Sequence, residues 1–393
     1  MFTDTAKRYE LELLENVVPF WENHCVDHKY GGYFTSLDRD GTVYDTTKYM
    51  WMQWRIVYMF GELYLSEYSR PEWLEIARTG FDFLYHHGRD AAGKYYFALN
   101  RVGEPVIAPC NIYSECFAAM GSAVMFKATG EELYRESAKS AMDNYIKAID
   151  CPKGRWDKSM PGRQSFLTLG HYMMLANLGL LLDDCLGNQD EYADSLSGAV
   201  TTVLDRFWNP ELEIMFENIT PDGKFDLESC EGRMLNPGHV LEAMWFILNY
   251  LDKTNPNDER IERIAGIIKA TLNFGWDKKY GGIYYFMDAI GKPHLELQWD
   301  MKLWWVHNEA LIASLYAHKL TGDQEFLDWF RRIDEWTWEH FPDPQYGEWF
   351  GYLNRRGEPT HLLKGGKWKT FFHLPRCLMT AADLMRSLDA GKK

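Results

Sequence analysis

Five short segments of this 393-residue chain place reactive side chains at the start of a predicted helix, at a nearly constant interval. They read W-M-Q-W-R (51–55), L-T-L-G-H-Y-M-M (167–174), N-P-G-H-V-L-E-A-M-W (236–245), M-K-L-W-W-V-H-N-E-A (301–310) and K-W-K-T-F-F-H-L-P-R (367–376). Their histidines, His171, His239, His307 and His373, stand 68, 68 and 66 residues apart. Such a period points to a repeated supersecondary unit whose functional groups converge on one centre.

Glycine-rich segments with strand-like alternation recur at matching positions: 27–41, 93–105, 277–293 and 345–359, with a weaker copy at 215–224 and a divergent segment at 156–164. Each reads as a short hairpin turned by a glycine pair or by D-x-x-G. Between them, helical periodicity comes in pairs: 4–22 with 47–66, 71–87 with 111–128, 131–148 with 168–186, 189–207 with 237–252, 257–275 with 302–318, and 323–341 with 373–388. A helix pair that cannot bury both faces alone must stack on its neighbours. Six pairs closing on themselves predict an all-α fold, an (α/α)6 barrel of twelve helices, with the hairpins at one end and the second helix of each pair inside. An open solenoid is the alternative. No compositional break divides the chain, so a single domain over residues 1–393 is expected.

The net charge of −15, with no Lys/Arg cluster, argues against a nucleic-acid partner. No apolar run approaches the length of a membrane span, and the first sixteen residues lack the apolar stretch of a signal peptide. Seven cysteines, odd in number and without C-x-x-C, are expected as reduced thiols in the cytoplasm. Aromatics reach 16% and include sixteen tryptophans, more than a core of this size requires. Rings lining a pocket hold the apolar faces of sugars.

His239 follows an N-P-G helix start, and Glu242 lies three residues on, on the same helical face. A carboxylate beside an imidazole raises its basicity and fixes its tautomer, which suits proton abstraction near neutral pH. His373 precedes Arg376 by the same spacing. If the barrel closes, both imidazoles project into one cavity and flank a small substrate. Arg55 sits in an apolar stretch beside Trp51, where an unpaired cation is costly, so it requires an acidic partner or a developing oxyanion. Lys302, Trp305 and Glu309 share a helical face, with Trp304 and His307 offset from it. One of these aromatics is placed to stack on a sugar, and Glu309 to orient a histidine or hold a hydroxyl. Glu115 and His171 open two further inner helices. H-E-x-x-H and H-x-H are absent, so no metal site is expected.

These residues match a known pattern. From about Lys29 to Met379 the chain resembles the N-acylglucosamine 2-epimerase family, whose mammalian members are also called renin-binding protein. The motifs that carry the resemblance are K-Y-G-G-Y-F-T-S-L-D-R-D-G-T-V-Y-D, K-Y-M-W-M-Q-W-R, G-R-M-L-N-P-G-H-V-L-E-A-M-W-F, K-L-W-W-V-H-N-E-A and F-F-H-L-P-R-C-L. The resemblance implies an (α/α)6 barrel that interconverts N-acetyl-D-glucosamine and N-acetyl-D-mannosamine. It implies His239 and His373 as acid and base, Arg55 on the first inner helix, no cofactor in the chemistry, and a homodimer. It also implies ATP as an allosteric activator, whose loop would be 157–164 with Lys158 and Arg163 meeting phosphates. Cellobiose 2-epimerases and mannose isomerases share the barrel and similar histidines. An inverting glycoside hydrolase would instead use two of Glu115, Glu242 and Glu309, and a binding protein would need no pair of His/acid groups.

Overall fold

The computed structural model describes residues 2–154, 157, 160, 165–187 and 191–391. Two kinds of helix alternate along it. Helices α4 (Pro71–His87), α6 (Glu132–Ala148), α8 (Ala193–Arg206), α10 (Arg260–Gly275) and α12 (Glu325–His340) are amphipathic; α12, for example, buries Phe326, Trp329, Phe330, Ile333 and Trp336 and leaves its opposite face in water. Helices α3 (Met50–Leu65), α5 (Tyr113–Thr129), α7 (Leu169–Leu186), α9 (Pro237–Thr254), α11 (Trp304–Thr321) and α13 (His373–Asp389) have much wider buried surfaces; in α11 every residue from Trp304 to Ala317 is buried. These are the inner helices, and from α3 to α13 each packs on the next in the chain.

The first outer rod is α1 (Thr3–Leu11), a π-helical turn over Glu12–Val17, and α2 (Val18–His24). Pro19 lies just beyond the π turn: its ring crowds the preceding turn and it offers no N–H, and the widened turn accommodates both. The described residues thus form twelve rods in six pairs, and the predicted helix limits hold to within a few residues.

The hairpins differ from expectation in one respect. The D-x-x-G turn foreseen is present, with Gly41 N–H donating to the Asp38 carbonyl, and Asn takes the place of Asp where Gly357 N–H donates to the Asn354 carbonyl. Yet the two-residue strand that leads into an inner helix pairs with the hairpin of the following repeat. Lys48–Tyr49 pairs with Ala98–Leu99, Leu167–Thr168 with Asn218–Ile219, Met234–Leu235 with Met287–Asp288, and Lys302–Leu303 with Tyr352–Leu353, all antiparallel. Four of the six seams between repeats are therefore stitched at the hairpin end.

Buried ion clusters reinforce two of these seams and form another. Asp27 takes Lys48 of its own repeat (3.2 Å) and Arg101 of the next (2.9 Å). Asp277 takes Lys302 (3.4 Å) and Arg355 (2.8 Å), and Asp343 takes Lys364 (2.8 Å) and Arg39 (2.8 Å). Arg39 belongs to the first hairpin and Asp343 to the last, so the third cluster closes the ring. At the other end, the Phe2 N–H donates to Asp389, and Arg386 bonds Glu10 and Tyr68. The barrel closes, and the open solenoid is excluded.

Candidate active site

All six inner helices begin at the hairpin end, which brings the functional segments together at their N-terminal turns. There the partial positive charge of the helix ends favours an anion.

His239 lies in the first turn of α9, whose N-cap Asn236 accepts its backbone N–H at 3.2 Å. Its Nδ1–H donates to Glu217 (2.9 and 3.0 Å), which leaves Nε2 unblocked. Burial opposes a charge on this ring, but the Glu217 charge and hydrogen bond outweigh it and raise His239 above the ordinary histidine range. The carboxylate is not Glu242, as the i, i+3 spacing suggested. Glu242 lies one turn deeper in the barrel, where the guanidinium of Arg376 holds it at 2.5 Å. Glu217 comes from the preceding hairpin; its only signal in the sequence is a buried acid in the weak hairpin copy M-F-E-N.

His373 is the first residue of α13 and is buried. Its Nδ1–H donates to Glu309 at 2.7 Å. The same Glu309 accepts from Arg376 Nη2 (2.7 Å) and from Trp245 Nε1 (2.7 Å). Burial, reinforced by the charges of Arg376 and Arg55 and only partly offset by Glu242, holds His373 well below the ordinary range. The site therefore contains two imidazoles shifted in opposite directions, His239 upward and His373 downward, the separation expected of an acid and a base.

Trp305 lies between them, its ring 5.4 Å from that of His239 and 5.5 Å from that of His373. Trp304 stands edge-on to His373 at 6.2 Å. On the facing wall the Arg55 guanidinium lies over the rings of Trp51 (4.8 Å), Phe117 (4.1 Å) and Phe372 (4.7 Å). It has no acidic hydrogen-bond partner among the described residues, and its buried Nε is unsatisfied. Burial lowers its pKa to about 9, with the Glu242 charge acting in the opposite direction. Of the two partners expected for this cation, the oxyanion is the one left open. Tyr113, which the sequence reading missed, sits 5.6 Å from His171 and 6.4 Å from Trp51. His171 is held neutral by burial and by the neighbouring His239, its pKa lowered to about 4. Gly170 makes room for this group: a Cβ there would stand 2.9 Å from the Tyr113 hydroxyl and 3.6 Å from His239 Cε1.

Three expected site residues are elsewhere. Lys302 precedes α11 in a strand, so it shares no helical face with Trp305, and its ammonium is locked to Asp277. His307 is fully buried: its Nε2 accepts the Ile283 N–H (2.9 Å), Nδ1 contacts the Leu303 carbonyl (2.8 Å), and the ring stacks on Trp336 of α12. Glu115 faces outward, accepting the Tyr95 N–H at 2.9 Å. Gln53 does the same for Tyr33 at 2.8 Å. These three hold hairpins to inner helices. Lys158 and Arg163 of the expected ATP loop lie outside the described residues.

Glu242, Glu309 and His373 bring three potential ligand atoms within 4.8 Å of one another, but Arg376 Nη2 already bonds both carboxylates. That shared nitrogen also holds the two acids closer than the 6.5 to 9.5 Å an inverting hydrolase needs. A separate cavity of about 410 Å³ opens at the opposite end, with Arg376 and Trp245 in its wall, and contains neither imidazole.

The sequence model of the N-acylglucosamine 2-epimerase (GlcNAc 2-epimerase) family matches residues 32–377. The N-acylglucosamine 2-epimerase of Mus musculus is 39% identical over 97% of this chain and 92% of its own, and that of Homo sapiens is 36% identical over 95% and 89%. The cellobiose 2-epimerase of Spirochaeta thermophila has the same fold, with a TM-score of 0.84 at 19% identity over 98% of each chain. The chain belongs to the N-acylglucosamine 2-epimerase family.

Proposed function

We propose that this enzyme interconverts N-acetyl-D-glucosamine and N-acetyl-D-mannosamine by moving the proton on C2 from one face to the other. The observation that carries the reading is the pair His239–Glu217 and His373–Glu309: two carboxylate-oriented imidazoles flanking one tryptophan. The open-chain aldehyde acidifies the C2 proton. One imidazole takes it, the enolate oxygen forms beside Arg55, and the other imidazole protonates the opposite face; the reverse reaction exchanges their roles. A carboxylate engages Nδ1 of each ring, so the proton moves through Nε2.

General acid–base catalysis contributes about 10² to 10⁴-fold per group. His239→Ala and His373→Ala should each lower turnover by at least that factor while retaining the wild-type circular dichroism. Wild-type turnover in either variant would remove the two-base reading. A cellobiose epimerase or mannose isomerase has the same fold, and the 36–39% identity to N-acylglucosamine 2-epimerases favours the amino sugar. A binding protein would have no use for the two oriented imidazoles.

The same reading includes ATP as an effector that takes no part in the chemistry, a homodimer, and a cytoplasmic setting. In keeping with the last, the seven cysteines are unpaired and no helix among the described residues is long and apolar enough to cross a membrane.

A further inference from the structure

Glu348 is a non-glycine residue with left-handed backbone (φ 51°), and it is buried, 2% exposed. It replaces the second glycine of the recurring Y-G-G segment, which in sister repeats is Gly32 (φ 67°) and Gly282 (φ 71°). A side chain in this conformation costs energy that the surroundings must offset, and such strain collects where function requires it.

The sister repeats show what the side chain replaces. After the glycine pair, the next backbone N–H (Tyr33 or Ile283) donates to a side chain on the adjoining inner helix, Gln53 or His307. In both, the acceptor is the fourth residue of its helix. The fourth residue of α13 is Arg376, which has no acceptor to offer and is turned instead to Glu242 and Glu309. The corresponding Trp349 N–H donates to Glu348 Oε1 at 2.9 Å.

The start of α13 differs from those of α3, α7, α9 and α11 in a second way. Four inner helices are led in by a paired strand, but the segment before α13 forms none. It is tied by Lys364 and Lys369 instead. Lys369 Nζ donates to Glu348 Oε1 (2.6 Å) and Lys364 Nζ to the Glu348 carbonyl (2.8 Å), while Glu348 Oε2 accepts Trp21 Nε1 (2.6 Å). Lys369 lies over Trp304, the ring edge-on to His373.

Resting on the proposed epimerase reading, we infer that Glu348 is a positioning residue for His373 and Arg376. It performs within its own hairpin the holding task that an inner helix performs elsewhere, which frees the fourth position of α13 for Arg376. Through Lys369 it also fixes the lead-in that sets the His373 ring.

The test compares Glu348→Gln, which keeps an oxygen for Trp349 and Lys369, with the double variant Glu348→Gly, Lys369→Met, which restores the glycine and removes the buried charge. Misplacement of a reacting group by about 1 Å costs about 10²-fold. The double variant should lose more than about tenfold in kcat at a KM within about twofold of wild type, and Glu348→Gln should stay within about threefold on both. Modification of His373 by diethyl pyrocarbonate, followed by peptide mass, reads the same displacement without substrate and should change rate only in the double variant. If the double variant does not fold, Glu348→Asn replaces it: Asn tolerates the left-handed backbone but is too short to reach Lys369. Wild-type kcat together with a wild-type modification rate would overturn the inference. Wild-type protein inactive on both amino sugars would instead remove the epimerase reading, and the modification rate would still decide the role of Glu348.

Discussion

The guanidinium of Arg55 is surrounded by three aromatic faces and has no acidic hydrogen-bond partner among the described residues. Cation–π contact offsets part of the cost of burying a charge, but a bonded acid would offset more. The arrangement makes sense if the missing acid is the enolate oxygen, present only during the reaction. Arg55→Met should therefore lower kcat by about 10² to 10³-fold, the usual cost of losing an oxyanion donor. The same substitution should leave the melting temperature unchanged or higher, since it removes an uncompensated charge. Steady-state rates and a thermal scan check both halves; a large drop in melting temperature would assign Arg55 to structure. Asymmetry at the histidines has an equally local cause: at His239 the charge and hydrogen bond of Glu217 outweigh burial, whereas at His373 burial and the charges of Arg376 and Arg55 prevail.

Among the helices, His307 separates structural from chemical roles. His307→Ala leaves the Ile283 N–H without its buried acceptor, a loss of about 1–3 kcal/mol by the cost of an unmade hydrogen bond. Denaturant unfolding should show that loss while kcat stays near wild type; a fall in kcat without a fall in stability would return His307 to the site. That the sequence suggested otherwise has a physical reason. Helix pairs and hairpin turns were legible because 3.6-residue periodicity and D-x-x-G turns are local signals, and the placing of His239, His373 and Arg55 at inner helix starts was legible because polar groups in apolar helix starts are conspicuous. Which face of an inner helix looks at the axis was not. Helix α11 is buried from Trp304 to Ala317, so no apolar stripe orients it, and Trp305 and His307 look alike in sequence though one lies between His239 and His373 and the other against α12. Lys302 was misplaced because the helix starts two residues later than its period suggested. Glu217 and the Glu242–Arg376 pair depend on contacts between distant segments, which no spacing records.

For the molecule as a whole, closure depends on the Asp343 cluster, where the last hairpin meets the first. Lys364 and Asp343 have no exposed side-chain surface, and removing one partner of a buried pair costs about 3–5 kcal/mol. Asp343→Asn should lower unfolding stability by about that amount, read by denaturant titration, and an unchanged midpoint would locate closure elsewhere. Burial works against ionisation here, but Arg39 and Lys364 hold the Asp343 carboxyl below its ordinary value. A group depressed in the folded state stabilises above its unfolded pKa of about 3.9 and loses that contribution as pH falls through the folded value, so this seam should weaken only in acid. Closure also brings the six inner helix starts together at the hairpin end, and the epimerase reading depends on it. The most direct measurement is proton NMR of N-acetyl-D-mannosamine with the purified protein in D₂O, with and without ATP. The account predicts that N-acetyl-D-glucosamine appears carrying deuterium at C2. A spectrum unchanged with both amino sugars, while mannose or cellobiose is converted under the same conditions, would contradict it.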